Sequence, residues 1–192
     1  MAIGKVLVCV VAPTASGKTT AARTLATELG LDFLSADRVY DELKVAYSTE
    51  GPAEDLTRFE RWDDPRNFGL ESWGAHDSIH EAKVECYANL LAPYRDESLI
   101  LEGYTLSFAL ERIAVQQLMQ PNLTIIIRIE LEFDRWAKQF EGKFGVSAKD
   151  KENAYHHLIG QYERLDNEVL ISCATPEEAV APQLVELLRS VV

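Results

Sequence analysis

Residues 12–19 read Ala-Pro-Thr-Ala-Ser-Gly-Lys-Thr and follow directly on the apolar run Val6-Leu7-Val8-Cys9-Val10-Val11. Small residues around a glycine let a backbone curl until its N–H groups point inward at an anion. A helix opening at the lysine adds the positive end of its dipole. The spacing fits a phosphate-binding loop with Ala12 in the place of the first glycine. The chemistry it predicts is the holding of a polyphosphate such as ATP. Pro13, Thr14, Ala15, Ser16, Gly17, Lys18, Thr19 and Thr20 would surround the phosphates, with the Lys18 ammonium on the β- and γ-phosphates and the Thr19 hydroxyl on Mg2+.

Two acids are expected to face the same spot. Asp37 follows the short apolar stretch Leu31–Leu34. It either orients an attacking hydroxyl and accepts its proton or caps the helix that follows. Glu102 closes the run Ser98-Leu99-Ile100-Leu101. An acid there suits Mg2+ binding through water, or the positioning of an acceptor, and equally a solvated strand end. Gly103 permits close approach of backbone to ligand, and Tyr104 would flank an acceptor pocket. Arg38, beside Asp37, and Arg66, in the irregular stretch that also holds Arg58 and Arg61, are candidate acceptor contacts; the alternative for that stretch is a surface loop. Between residues 128 and 143 stand Arg128, Arg135, Lys138 and Lys143. A phosphoryl group in transfer needs cations and the exclusion of water. A lid that carries Arg135 to the reacting group meets both needs. A salt-bridged surface helix is the other explanation, because Glu130, Glu132, Asp134 and Glu141 interleave with those cations.

The elements that must position these residues follow from apolar periodicity. Strands are expected over about 5–11, 31–34, 98–103, 122–130 and 168–173. Helices are expected after residue 18, over 37–47, 72–91 and 107–119, through the charged segment 131–165 with breaks at Gly142 and Gly145, and from Thr175 to about Ser190. Ala22, Leu25, Ala26 and Leu29 recur at helical spacing on the first helix, which Gly30 stops. Strands that alternate with helices predict an α/β fold: three layers, with a five-stranded parallel sheet covered on both faces and a small helical lid. Ligands of such sheets sit at the carboxyl ends of the strands, where the loop, Asp37 and Glu102 all fall.

A chain of 192 residues suits one domain. Within it, residues 48–75 are the expected acceptor region and 131–165 the expected lid. The formal charge of −12 weighs against a broad surface for nucleic acid or anionic membrane. Cys9, Cys86 and Cys173 lack metal-ligand spacing and suit a reducing cytoplasm. No segment has the length of a membrane span. The expected partner is a small-molecule acceptor.

Two resemblances rest on these residues. Over its whole length the chain resembles small P-loop kinases of the nucleoside-monophosphate, shikimate, gluconate and zeta-toxin type. The likeness rests on its length, its strand order, the loop, Glu102-Gly103-Tyr104, the charged lid and the closing Thr175-Pro176-Glu177-Glu178 helix. It implies ATP and Mg2+ at Lys18 and Thr19, and an acid at Asp37 that contacts the acceptor or acts as base. The first half, through the loop, Leu34-Ser35-Ala36-Asp37-Arg38-Val39-Tyr40 and Leu99-Ile100-Leu101-Glu102-Gly103, is also similar to isopentenyltransferases that prenylate adenine. That likeness implies a prenyl diphosphate on the loop and an adenine amine activated by Asp37. Phosphoryl transfer to a small hydroxyl acceptor is the expected activity. Prenyl transfer and a nucleotide-dependent regulator or toxin-like protein are the alternatives.

Overall fold

The computed structural model describes residues 4–50, 64–68 and 80–192. Its strands are β1 (Val6–Val11), β2 (Asp32–Ser35), β3 (Leu99–Glu102), β4 (Leu123–Ile129) and β5 (Glu168–Cys173). They form one parallel sheet in the order β2-β3-β1-β4-β5. The helices are α1 (Lys18–Leu29), α2 (Asp37–Glu50), α3 (His80–Leu91), α4 (Ala109–Met119), α5 (Phe133–Phe144), α6 (Glu152–Gly160), α7 (Pro176–Ala179) and α8 (Pro182–Arg189).

The three layers follow from the pleat. Successive strand residues point to opposite faces, and both faces of β1 are apolar. Val6, Val8 and Val10 enter one core, with Ala22 and Leu25 of α1 and Val185 and Leu188 of α8. Leu7, Cys9 and Val11 enter the other, with Val39 and Leu43 of α2, Tyr87 and Leu91 of α3 and Val115 of α4. The apolar run at residues 6–11 is thus the middle strand of a sheet buried on both sides. Burial pushes the Cys9 thiol up to about 12, so it is an inert apolar filler.

Several expected boundaries move, each for a local reason. α2 continues to Glu50. α3 is described from His80; the expected start at residue 72 lies outside the described residues, as do Arg58 and Arg61. Gly142 does not break the charged segment: it lies within α5, which ends at Gly145. The closing helix is two helices. Thr175 caps α7, its Oγ1 accepting from the Glu178 N–H at 3.2 Å. Pro182 then lacks the N–H needed to continue and instead opens α8, where its fixed φ is favourable.

One buried polar hub ties the β5 side of the sheet to the segment after β3. Arg112 and Glu168 are both fully buried and joined at 2.7 Å. The Arg112 guanidinium also donates to the carbonyls of Leu106 at 2.8 Å, Ser107 at 2.9 Å and Glu163. Glu168 accepts further from Gln116 at 2.8 Å and from the Leu165 N–H at 3.1 Å. Losing one partner of such a pair leaves the other as an uncompensated charge in low dielectric. Glu168→Ala is therefore expected to lower stability by about 3–5 kcal/mol, read as a shifted urea midpoint at unchanged slope. A shift within ordinary surface-mutation scatter would show that the hub contributes no such energy.

Candidate active site

The loop after β1 is shaped as an anion cradle. Ala15 and Gly17 both adopt left-handed backbone, with φ 62° and 79°. Gly17 stands at the N-cap of α1, which has no side-chain cap for its first N–H groups. Those donors must find acceptors elsewhere, and a polyphosphate supplies them. A side chain at Gly17 is excluded twice, by φ and by Pro176, whose Cγ would lie 2.8 Å from an added Cβ. From the far side, the Trp136 indole donates to the Thr14 carbonyl at 2.8 Å. The loop is therefore clamped between α7 and α5. The Ser16 hydroxyl is buried within it without a hydrogen-bond partner among the described residues, a buried polar group whose desolvation a bound phosphate oxygen would offset.

Lys18, buried at the start of α1, reaches two carboxylates. Its Nζ lies 3.4 Å from Glu102 Oε2 and 3.5 Å from Asp37 Oδ2. The sheet register explains the convergence: Glu102 pairs with Val10 of β1 and with Ser35 of β2. The Ala36 N–H donates to the Glu102 carbonyl at 2.7 Å and the Gly103 N–H to the Val10 carbonyl at 3.2 Å. These bonds carry the three strand ends forward together. Glu102 is buried and its Oε1 accepts from the Ser35 hydroxyl at 2.7 Å, which fixes the carboxylate. Among the described residues, its Oε2 has no hydrogen-bond donor besides the Lys18 ion pair. Asp37, the first residue of α2, keeps its side chain half exposed.

Among the described residues, no cluster of three or more His, Cys, Asp or Glu side chains forms a metal cage. Mg2+ binds reluctantly without water and needs few protein ligands beside phosphate oxygens. The half-buried Thr19 and the under-satisfied Oε2 of Glu102 fit that modest donor set.

Two cavities meet at this point. The first, of about 280 Å3, is walled by Tyr40, Phe68, Tyr104, Phe140 and Phe144, with Asp37, Asp41 and Asp64 among its polar lining. The second runs along Ala15, Gly17, Thr19, Thr20 and Gln139. Lys18 and Lys143 line both. Burial pushes the Tyr40 and Tyr104 phenols well above their ordinary values, so both serve as neutral walls rather than as bases.

The other expected residues lie differently. Arg135 does not line either cavity; its Nη2 donates to both Glu177 carboxylate oxygens at 2.9 Å. Trp136 and Phe140 turn inward to the core. One residue of helix is a rotation of about 100°, which carries Arg135 to the flank while Lys143, seven residues after Trp136, stays on its stripe. Arg128 sits over the Tyr162 ring at 5.0 Å and pairs with Glu130 at 2.9 Å. Arg38 is exposed outside the cavity lining. Arg66 is exposed and turned onto Asp64, with Nη2 2.6 Å from Oδ2; it is Asp64 that reaches the cavity.

Comparison with solved structures now defines the fold. A gluconokinase from Sinorhizobium meliloti 1021 matches over 97% of this chain and 94% of its own, at TM-score 0.57 and 13% identity. A putative kinase from Chloroflexus aurantiacus j-10-fl matches over 98% and 99%, at TM-score 0.57 and 17% identity. Kti12 from Chaetomium thermophilum, in complex with ADP-AlF3, matches over 97% and 98%, at TM-score 0.57 and 14% identity. The chain has the fold of the small P-loop kinases. No protein-family model matches it, and no curated protein matches it significantly.

Within this P-loop kinase fold, sequence reasoning missed Ser35 and the walls Tyr40, Phe68, Phe140 and Phe144, and among the cations of residues 128–143 it favoured Arg135 over Lys143. The signal for Lys143 and Phe144 was present: Phe133, Trp136 and Phe140 mark a stripe that both extend. Ser35 carries no such mark, because its role depends on the β2–β3 register. Gly103 is approached as closely as Gly17. An added Cβ would lie 2.8 Å from Ala36 Cβ and 3.4 Å from Asp37 Oδ1. Gly103→Ala is expected to push the Ala36–Asp37 corner away from Lys18, costing about 1–3 kcal/mol of stability. A crystal structure of the variant, with a thermal melt, checks both; an unmoved Asp37 would overturn the expectation.

Proposed function

We propose that this protein transfers the γ-phosphoryl group of ATP to a hydroxyl of a small molecule. The observation that carries this reading is the meeting of the two cavities at Lys18 and Lys143, with the Asp37 carboxylate on the aromatic side only. The groove along the loop suits the phosphate chain, and the aromatic cavity suits the acceptor. The junction, where two ammonium groups stand, suits the group in transit. The kinase fold and the nucleotide analogue held by Kti12 support the same assignment.

The chemistry is an in-line displacement. A bond forms between the acceptor oxygen and the γ-phosphorus, and the bond from that phosphorus to the bridging oxygen of ADP breaks. The hydroxyl proton passes to Asp37. Loop N–H groups, Lys18 and Lys143 stabilise the charge spread over the phosphoryl oxygens. Mg2+, held with the help of Thr19 and Glu102, would neutralise phosphate charge. The ion pairs of Lys18 order these roles. Glu102 is buried and fixed by Ser35, whereas Asp37 is half exposed. A phosphate that draws Lys18 forward therefore gives up the Asp37 contact at least cost, since water or an acceptor hydroxyl replaces it.

Asp37→Asn is expected to lower kcat by about 10²–10⁴-fold while the thermal stabilisation by ATP and Mg2+ is retained. Lys18→Ala is expected to abolish both turnover and that stabilisation. Near-wild-type turnover in Lys18→Ala would refute the assigned site. Stabilisation by dimethylallyl diphosphate, with no response to ATP, would point to prenyl transfer instead.

A further inference from the structure

The aromatic cavity differs in charge from one built for an acid. Its walls carry Asp37, Asp41 and Asp64, and its cations are Lys18 and Lys143. Both cations also line the phosphate groove, so phosphate oxygens compete for them. Lys18 is in addition held by Glu102. Arg66 pairs with Asp64 at 2.6 Å and offsets its charge, and Arg38 stays outside, so Asp41 is the lining acid with no cation paired to it among the described residues. Hydrogen bonds from Arg66 hold the Asp64 carboxyl below its ordinary value, so it remains ionised near neutral pH. With nucleotide bound, the acceptor end among the described residues presents carboxylates and aromatic rings and no uncommitted cation.

The aromatic walls add a shape and a second preference. Phe68 and Phe140 lie 5.4 Å apart between centroids, Phe140 and Phe144 5.0 Å, all tilted. Tyr104 and Tyr40 supply further ring surface. Such rings bury a flat apolar body, and their faces attract an ammonium group as the acids do. A carboxylate would meet both like charge and the negative faces of the rings.

We propose, resting on the assignment of this cavity to the acceptor, that the acceptor is an alcohol with a flat apolar body and an ammonium group, and that carboxylate-bearing alcohols are rejected. The body lies among Tyr40, Phe68, Tyr104, Phe140 and Phe144, the hydroxyl faces Asp37 and the junction, and the ammonium faces Asp41.

Matched ligands test this. Phenylethanolamine and mandelate present the same benzylic hydroxyl beside an ammonium or a carboxylate, and their naphthyl counterparts enlarge the apolar body. Binding to the full chain loaded with ADP and Mg2+ is read by ligand-observed NMR titration, and ATP consumption is read separately across a broad acceptor panel that includes gluconate. The amine of each pair is expected to bind roughly tenfold more tightly than the acid. Asp41→Asn, an exposed change on α2, is expected to shrink that preference several-fold, and Asp41→Lys to abolish it. Equal or tighter binding of the acids, binding of neither class, or a preference untouched by the Asp41 changes would each overturn the proposal. ATP consumption with gluconate as the best acceptor would overturn it while upholding phosphoryl transfer. The amine preference without ATP consumption by any acceptor would uphold the cavity's charge selection and refute the transfer reaction.

Discussion

A lysine ammonium held between two carboxylates sets the terms for this molecule. Lys18 and Glu102 are both buried, 3.4 Å apart. Either one alone would be a desolvated charge costing several kcal/mol. The pair is tolerable because the sheet delivers both groups to one point: the turn after β1 places Lys18 at the first position of α1, and β3, hydrogen-bonded to β1, ends at Glu102. Ser35 from the next strand then supplies the hydrogen bond that Lys18 does not. The remaining strain is left where an anion would relieve it, in the uncapped start of α1 and the orphaned Ser16 hydroxyl. Stability and anion affinity are thus opposed at the same atoms, as expected where a site is prepared for charge that arrives with a ligand.

The aromatic cluster on α5 connects that point to the core. Trp136 stacks on Tyr155 at 4.6 Å and lies 4.9 Å from Phe68 and 4.8 Å from Phe140. Its indole N–H holds the Thr14 carbonyl. One side chain therefore fills the core beneath the expected lid, braces the loop, and backs the wall of the aromatic cavity. Packing at this density resists small deformations, so the loop, α5 and residues 64–68 are positioned as a unit. Residues of α5 and α6, including Trp136, Tyr155 and Leu158, are part of the main core.

How far the sequence alone could go follows from what each feature depends on. The loop, the five strands and the convergence of Lys18, Asp37 and Glu102 were legible, because they rest on local spacing and on the rule that parallel strands present their carboxyl ends together. Ser35 and the Arg112–Glu168 hub were not. Each is defined by register or by a crossing between distant elements, and a serine at a strand end or a glutamate at a strand start has many solvated explanations. The division of the closing helix at Pro182 was legible in principle, since a proline six residues after Pro176 cannot sit inside an α-helix without loss. The aromatic cavity was only half legible: Tyr104 lines it, whereas Arg66 is exposed and grips Asp64 rather than entering it.

The contrast between Arg135 and Lys143 shows what decides such cases. Both are cations on one helix, both have acids as neighbours in sequence, and chemistry alone favours arginine for a phosphoryl group because of its planar fork. The helix cannot present both to the loop. Trp136 and Phe140 lose far more than either cation does if turned toward water, since burying a large aromatic is worth several kcal/mol and an exposed ion pair about 0–1. The apolar stripe therefore sets the rotation of α5. Arg135 is left on the flank, where Glu177 meets it, and Lys143 is carried to the edge of the stripe beside Phe144, its ammonium 4.9 Å from that ring. Which cation an amphipathic helix presents to a cavity is thus found by following the residues that must be buried, and only then by asking which charge they bring with them.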